Sequence, residues 1–135
     1  MTDQHVVAPR TPAWLAGRAT PGRTASFRRY AMTPPDFFAV EYAINPWMDV
    51  TAPVDVGLAQ AQWKSLYETY LRLGHRVDAV QPVAGLPDMV YAANGGFVAH
   101  DVAIVARFRF AERAGESQAY ARWMSSLGYR PVYTR

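Results

Sequence analysis

The sequence contains no cysteine. That excludes disulfides, thiolate metal sites and any thiol nucleophile supplied by these 135 residues. It contains no apolar run long enough to cross a bilayer. Its N-terminus also lacks the apolar stretch of a secretory signal, so a soluble cytoplasmic protein without a membrane partner is expected. Acidic residues are scarce at one end. Residues 1–30 hold five arginines (Arg10, Arg18, Arg23, Arg28, Arg29) against Asp3 alone, which leaves nine basic and ten acidic groups in 31–135. The formal charge of +3 therefore describes a tail and not a folded basic surface. That argues against nucleic acid as a partner. No histidine has a partner at metal-ligand spacing, and Gly95-Gly96 lacks the other residues of a phosphate loop. Neither a metal nor a cofactor is expected.

Half of the residues are hydrophobic and 19% are charged, which suits one domain with a real core. Residues 1–29, with Pro9, Pro12, Pro21 and Gly22 and little apolar periodicity, read as a flexible Arg/Pro-rich arm. Residues 30–135 read as the folded part. The run Phe37 to Ile44 is aromatic and β-branched and predicts a strand that Asn45-Pro46 ends. Asp55 predicts a helix cap, and Ala59, Trp63, Leu66, Tyr67, Tyr70 and Leu73 recur at helical spacing up to Gly74. Arg76–Val80 predicts a short strand and Pro82–Pro87 a loop. Further on, Met89–Ala93 predicts a strand. Phe97–Ala99 and Val102–Phe108 predict a hairpin around His100-Asp101. A helix is predicted from about Gly115 to Gly128, and another strand from Arg130.

Two short matches suggest a repeat. Tyr42-Ala43-Ile44-Asn45 matches Tyr91-Ala92-Ala93-Asn94, and Leu73-Gly74-His75-Arg76 matches Leu127-Gly128-Tyr129-Arg130. Their order and near-equal spacing predict one supersecondary unit of roughly fifty residues used twice, about 36–82 and 88–135. Two such units leave apolar flanks and an open strand edge, which predicts self-association or a complementary half.

Four residues stand out as candidates for binding. Pro87 stiffens the backbone before Asp88, whose carboxylate would suit a planar cation such as guanidinium or, equally, a turn cap. Asn45 and Asn94 are the repeated asparagines, either converging on a shared centre or simply suiting turns. Arg107, with Arg109, ends the long apolar strand, facing an anionic group or pairing with Glu112 or Glu116. No nucleophile–base pair is present, so no catalytic residue is assigned.

Three ordered segments resemble one family. They are Met32-Thr33-Pro34-Pro35-Asp36 through Tyr42 to Met48, Gly85-Leu86-Pro87-Asp88-Met89-Val90-Tyr91 through Gly96, and Arg107-Phe108-Arg109-Phe110 with Glu112 to Glu116. From about Tyr30 to the end, the chain resembles the N-terminal half of the guanidino-group-modifying (pentein) superfamily, with its dimethylargininases, arginine dihydrolases and amidinotransferases. The resemblance implies an α/β propeller of about five ββαβ units, here a partial propeller of two. It implies a cysteine thiolate that attacks the guanidinium carbon and a histidine acid and base, both in later units. It implies that Asp88 binds guanidinium, that Asn94 and Asn45 contact substrate as in the arginine dihydrolase branch, and that Arg107 holds the substrate carboxylate. The chain is then expected to be a substrate-binding half, inactive alone, that needs a second half or copy. A non-catalytic, self-associating scaffold is the alternative.

Overall fold

The computed structural model describes residues 26–134. The expected arm lies outside the described residues up to residue 25, and its expected end at residue 29 falls on the first residue of a strand. In chain order the elements are β1 (Arg29–Met32), α1 (Val56–Arg72), β2 (Arg76–Ala79), two 3-10 turns (Pro87–Val90 and Ala92–Asn94), β3 (Gly96–Ala99), β4 (Val102–Val105), α2 (Ala111–Ser126) and β5 (Arg130–Tyr133).

The strands form two small sheets. β1 pairs in parallel with β2 (Arg29 opposite Arg76, Met32 opposite Ala79) across the α1 crossover. β4 pairs antiparallel with β3 and in parallel with β5, across the α2 crossover. Two β–α–β arrangements therefore lie in succession, in a mixed α/β fold with open sheets. Their helices end alike. Gly74 and Gly128 adopt φ of 79° and 89°, and the next amides, His75 and Tyr129, donate to the Tyr70 and Met124 carbonyls. This left-handed exit feeds each chain directly into its parallel strand, so the Leu73–Arg76 and Leu127–Arg130 segments occupy equivalent places. The Tyr42–Asn45 and Tyr91–Asn94 segments do not. The first follows β1, whereas the second precedes β3.

Several expectations are corrected. Residues 37–44 form no strand. The Phe38 amide turns back to the Pro35 carbonyl, and β1 takes the place beside β2. Met89–Ala93 is not a strand either, because Pro87 opens a 3-10 turn that carries Asp88 in its first turn. β4 stops at Val105, so Arg107 and Arg109 lie beyond it and strand alternation does not govern them. α2 begins at Ala111, four residues before Gly115.

The core lies under α2. Val80, Met89, Ala119 and Tyr120 form one buried cluster, with Ala31, Leu86 and Trp123 packed on it. Ala103, Val105, Ala121 and Met124 form a second. The Tyr120 hydroxyl donates to the Met89 carbonyl at 2.7 Å and meets Thr33 Oγ1 at 3.2 Å. β1 is thereby tied to α2. Among the described residues no helix is long and apolar enough to cross a membrane.

Candidate functional site

The Pro87–Val90 turn buries Asp88 to 5% exposure. A carboxylate so far out of water demands compensating partners. The nearest cation is Arg113 in the first turns of α2, whose Nε lies 3.5 Å from Asp88 Oδ2. That contact is loose. The tight partner of Arg113 is Glu116, which is fully buried and accepts from Nε at 2.8 Å and from Nη2 at 2.9 Å. Arg113 also donates from Nη1 to Asn94 Oδ1 at 3.3 Å, and its guanidinium sits 4.4 Å above the Phe108 ring. Burial works against its charge, but the hydrogen bonds to Glu116 and attraction to both carboxylates hold its pKa above the ordinary arginine value. Two carboxylates formally face one guanidinium, and Glu116 takes most of it. Asp88 is thus left with spare capacity toward a second cation.

Asp88 opens onto a cleft of about 520 Å³, lined also by Asn45, Asn94, Tyr91, Trp47 and Arg113. The Phe38–Val54 segment forms its outer wall. Asn45 Oδ1 accepts from the Trp47 amide at 3.0 Å, a turn that folds the wall over. The Tyr42 hydroxyl is buried and faces the Asp88 carboxylate, but among the described residues it has no partner in full hydrogen-bond geometry. Burial, then the nearby Asp88 carboxylate, pushes its pKa far up, so it remains a neutral phenol. Tyr91 is pushed up for the same reasons, burial first.

Asp88, Asn94 and Asn45 therefore share one cleft. Arg107 does not line it. Its side chain is exposed, and its amide donates to Thr134 Oγ1 at 3.0 Å. Glu116 pairs with Arg113 and not with Arg107 or Arg109. Sequence reasoning missed Arg113 and Glu116 as members of the site. Their i, i+3 spacing was the available signal. Among the described residues no group of His, Asp and Glu could hold a metal ion.

A second, larger cleft of about 1170 Å³ runs between the two β–α–β arrangements. Trp63, Leu66, Tyr70, Phe97, Trp123 and Leu127 are among its walls. It is mainly apolar and shares only Tyr91, Asn94 and Phe38 with the first. Chemistry that needs a desolvated carboxylate belongs to the smaller cleft.

No protein-family model matches the chain. It is 72% identical over all 135 residues to N(G),N(G)-dimethylarginine dimethylaminohydrolase of Mycobacterium tuberculosis, of which it covers 43%. Among solved structures it matches the substrate-bound N-terminal domain of ArgZ, an arginine dihydrolase from the ornithine–ammonia cycle in cyanobacteria. There the TM-score is 0.71 and identity 35%, over 79% of this chain and 40% of that one. DDAH from Pseudomonas aeruginosa in complex with citrulline matches with a TM-score of 0.61 over 81% of this chain and 42% of that one. At 16% identity this is a likeness of fold. The chain thus spans less than half the length of these relatives.

Proposed function

We infer that this chain belongs to the guanidino-group-modifying (pentein) superfamily, because it matches the N-terminal part of dimethylargininase and arginine dihydrolase relatives. From that premise we propose that it is the substrate-binding half of an arginine-type guanidine hydrolase. Asp88 receives the guanidinium, Asn94 and Asn45 contact the rest of the ligand, and Arg107 approaches the ligand carboxylate from outside the present cleft lining. The observation that carries this reading is the Asp88 carboxylate, 5% exposed and facing a cleft, whose ion-pair partner among the described residues, Arg113, is engaged bidentately by Glu116. A planar cation supplies what Arg113 leaves unmet.

The chemistry of C–N hydrolysis needs a nucleophile that these residues do not include, since cysteine is absent. The thiolate and its histidine are supplied by a complementary segment, and the chain alone is inactive. The two β–α–β arrangements are two units of a propeller that further units complete, and the 1170 Å³ apolar cleft is part of the flank they would cover.

Calorimetric titration of the chain with arginine tests this. Saturable binding that Asp88→Asn abolishes is expected, with no release of ammonia or dimethylamine. Absence of binding by the wild-type chain would sink the proposal. One observation favours a second reading. α1 buries none of its 17 residues and exposes Leu58, Leu66 and Leu71, as a self-associating scaffold would. A stable dimer that binds no guanidine supports that alternative.

A further inference from the structure

Arg28, the residue before β1, is held on both sides by the segment that leaves α1. Its carbonyl accepts from the Arg76 amide at 2.9 Å, and its amide donates to Nδ1 of His75 at 3.3 Å. The second bond extends the β1–β2 pairing by one residue, with a side chain as the acceptor. The ring is well placed for this. The left-handed exit at Gly74 precedes it, and its own amide is tied to the Tyr70 carbonyl. The imidazole lies edge-on to Tyr30 at 5.3 Å and beside Tyr70 at 6.1 Å, and those two rings stack on each other at 4.5 Å.

A backbone N–H can only donate, so this geometry requires Nδ1 to be unprotonated. An imidazolium donates from both nitrogens and offers the Arg28 amide nothing. The charged and titratable groups around the ring are Arg28, Arg29 and Tyr30 on the β1 side, Tyr70 and Arg72 on α1, and Arg76 and Asp78 on β2. Asp78 is the one carboxylate among them, and Arg29 and Arg76 both pair with it. Arg72 turns back to Thr69. Protonation therefore removes an acceptor and adds a positive charge among four arginines whose carboxylate is already shared. The other end of β1 has no such weak point. The Met32 carbonyl accepts from the Val80 amide at 2.9 Å, and the buried Thr33 meets the Tyr120 hydroxyl.

We propose that His75 is an acid-sensitive clasp, whose neutral ring closes the start of β1 onto β2 and whose protonation releases residues 28–30 while the Met32 end stays paired. Arg29 and Tyr30 line the 1170 Å³ cleft between the two β–α–β arrangements and not the Asp88 cleft. Acid thus loosens one wall of the larger cleft and leaves the smaller one in place. The inference does not depend on the guanidine-site reading.

Amide hydrogen exchange, read by NMR and corrected for the intrinsic effect of pH, tests this at about pH 7.5 and about pH 5, on either side of the range in which histidine ordinarily changes charge. In the wild-type chain, protection of the Arg28 and Tyr30 amides is expected to fall on acidification by on the order of fivefold, the factor that one hydrogen bond carries. Protection of the Val80 amide should hold. His75→Gln, whose side-chain carbonyl accepts without titrating, should stay protected at both pH values. His75→Phe, which keeps a ring and offers no acceptor, should show the low value at both, with α2 amides reporting that each variant is folded. His100→Gln should leave the wild-type drop in place. Equal protection of the wild-type amides at the two pH values overturns the clasp. So does a drop that survives in His75→Gln or vanishes in His100→Gln.

Discussion

The helices α1 and α2 are nearly equal in length, 17 and 16 residues, and opposite in how they are held. α1 carries the signals that mark a helix in a sequence. Asp55 caps it by accepting from the Leu58 amide at 2.8 Å, and its apolar residues recur on one stripe, yet none of its residues is buried. α2 has no side-chain cap and a weaker stripe, yet it buries Glu116, Ser117, Ala119, Tyr120, Ala121 and Met124. Small residues let β4 and β5 approach one side of it, and a buried ion pair and a tyrosine hydroxyl fasten the other. Amphipathicity shows that a helix has a face to bury. It does not show that the partner for that face lies within the same residues.

This contrast can be broken or sharpened by substitution. The largest effect is expected from Glu116→Ala, which removes both tight hydrogen bonds of the Arg113 guanidinium, leaves it the longer Asp88 contact and should cost about 3 kcal/mol in urea denaturation. A loss no larger than that of a surface change would show that α2 does not depend on its buried charge. Gly95→Ala comes next. A Cβ there would collide with the fully buried Tyr120 ring, and roughly 1–3 kcal/mol of overpacking is expected, read as a lowered Tm.

Tyr120→Phe should cost about 1 kcal/mol for its hydrogen bonds, and it carries a pH signature. Burial raises the Tyr120 pKa from 10.0 to about 12. The folded state therefore keeps a proton that the unfolded chain loses. That contribution is fully present below pH 10 and declines as pH rises toward 12. Denaturation curves at these two pH values should converge for wild type and Tyr120→Phe, and a constant gap would contradict the burial argument. The smallest effect belongs to α1. Leu66 is 47% exposed, so Leu66→Ala should cost under ~1 kcal/mol in this chain. A cost matching those on α2 would mean that the α1 face is already covered in solution, and sedimentation would then show a dimer.

The same contrast explains which features were legible in the sequence. Asp55, the stripe from Ala59 to Leu73 and Gly74 were enough to place α1, because caps and glycine exits are local chemistry. The β3–β4 turn at His100-Asp101 was legible for the same reason. β1 was not, since four residues after Arg28 become a strand only by pairing with β2, nearly fifty positions away. The Phe37–Ile44 run has the composition of a strand but no partner, and tertiary contact drew it over the Asp88 cleft instead. In the site, Pro87-Asp88 announced itself through backbone stiffness. Arg113 was not singled out and Glu116 stood only as an alternative partner for Arg107, because in a sequence an i, i+3 charge pair does not show whether packing takes it out of water.

The contact between Thr33 and the Tyr120 hydroxyl joins residues 87 positions apart and ties the end of β1 to the helix that crosses over between β4 and β5. Thr33 is 1% exposed and directly follows β1. The Met89 carbonyl on the same hydroxyl draws in the intervening turn. With the shared cluster of Val80, Met89 and Tyr120, this makes cooperativity a property of one side chain's surroundings. The two-stranded sheet should melt with the three-stranded one, in a single transition seen alike by tryptophan fluorescence and by far-ultraviolet dichroism. Thr33→Val should loosen that coupling and let the smaller sheet open first.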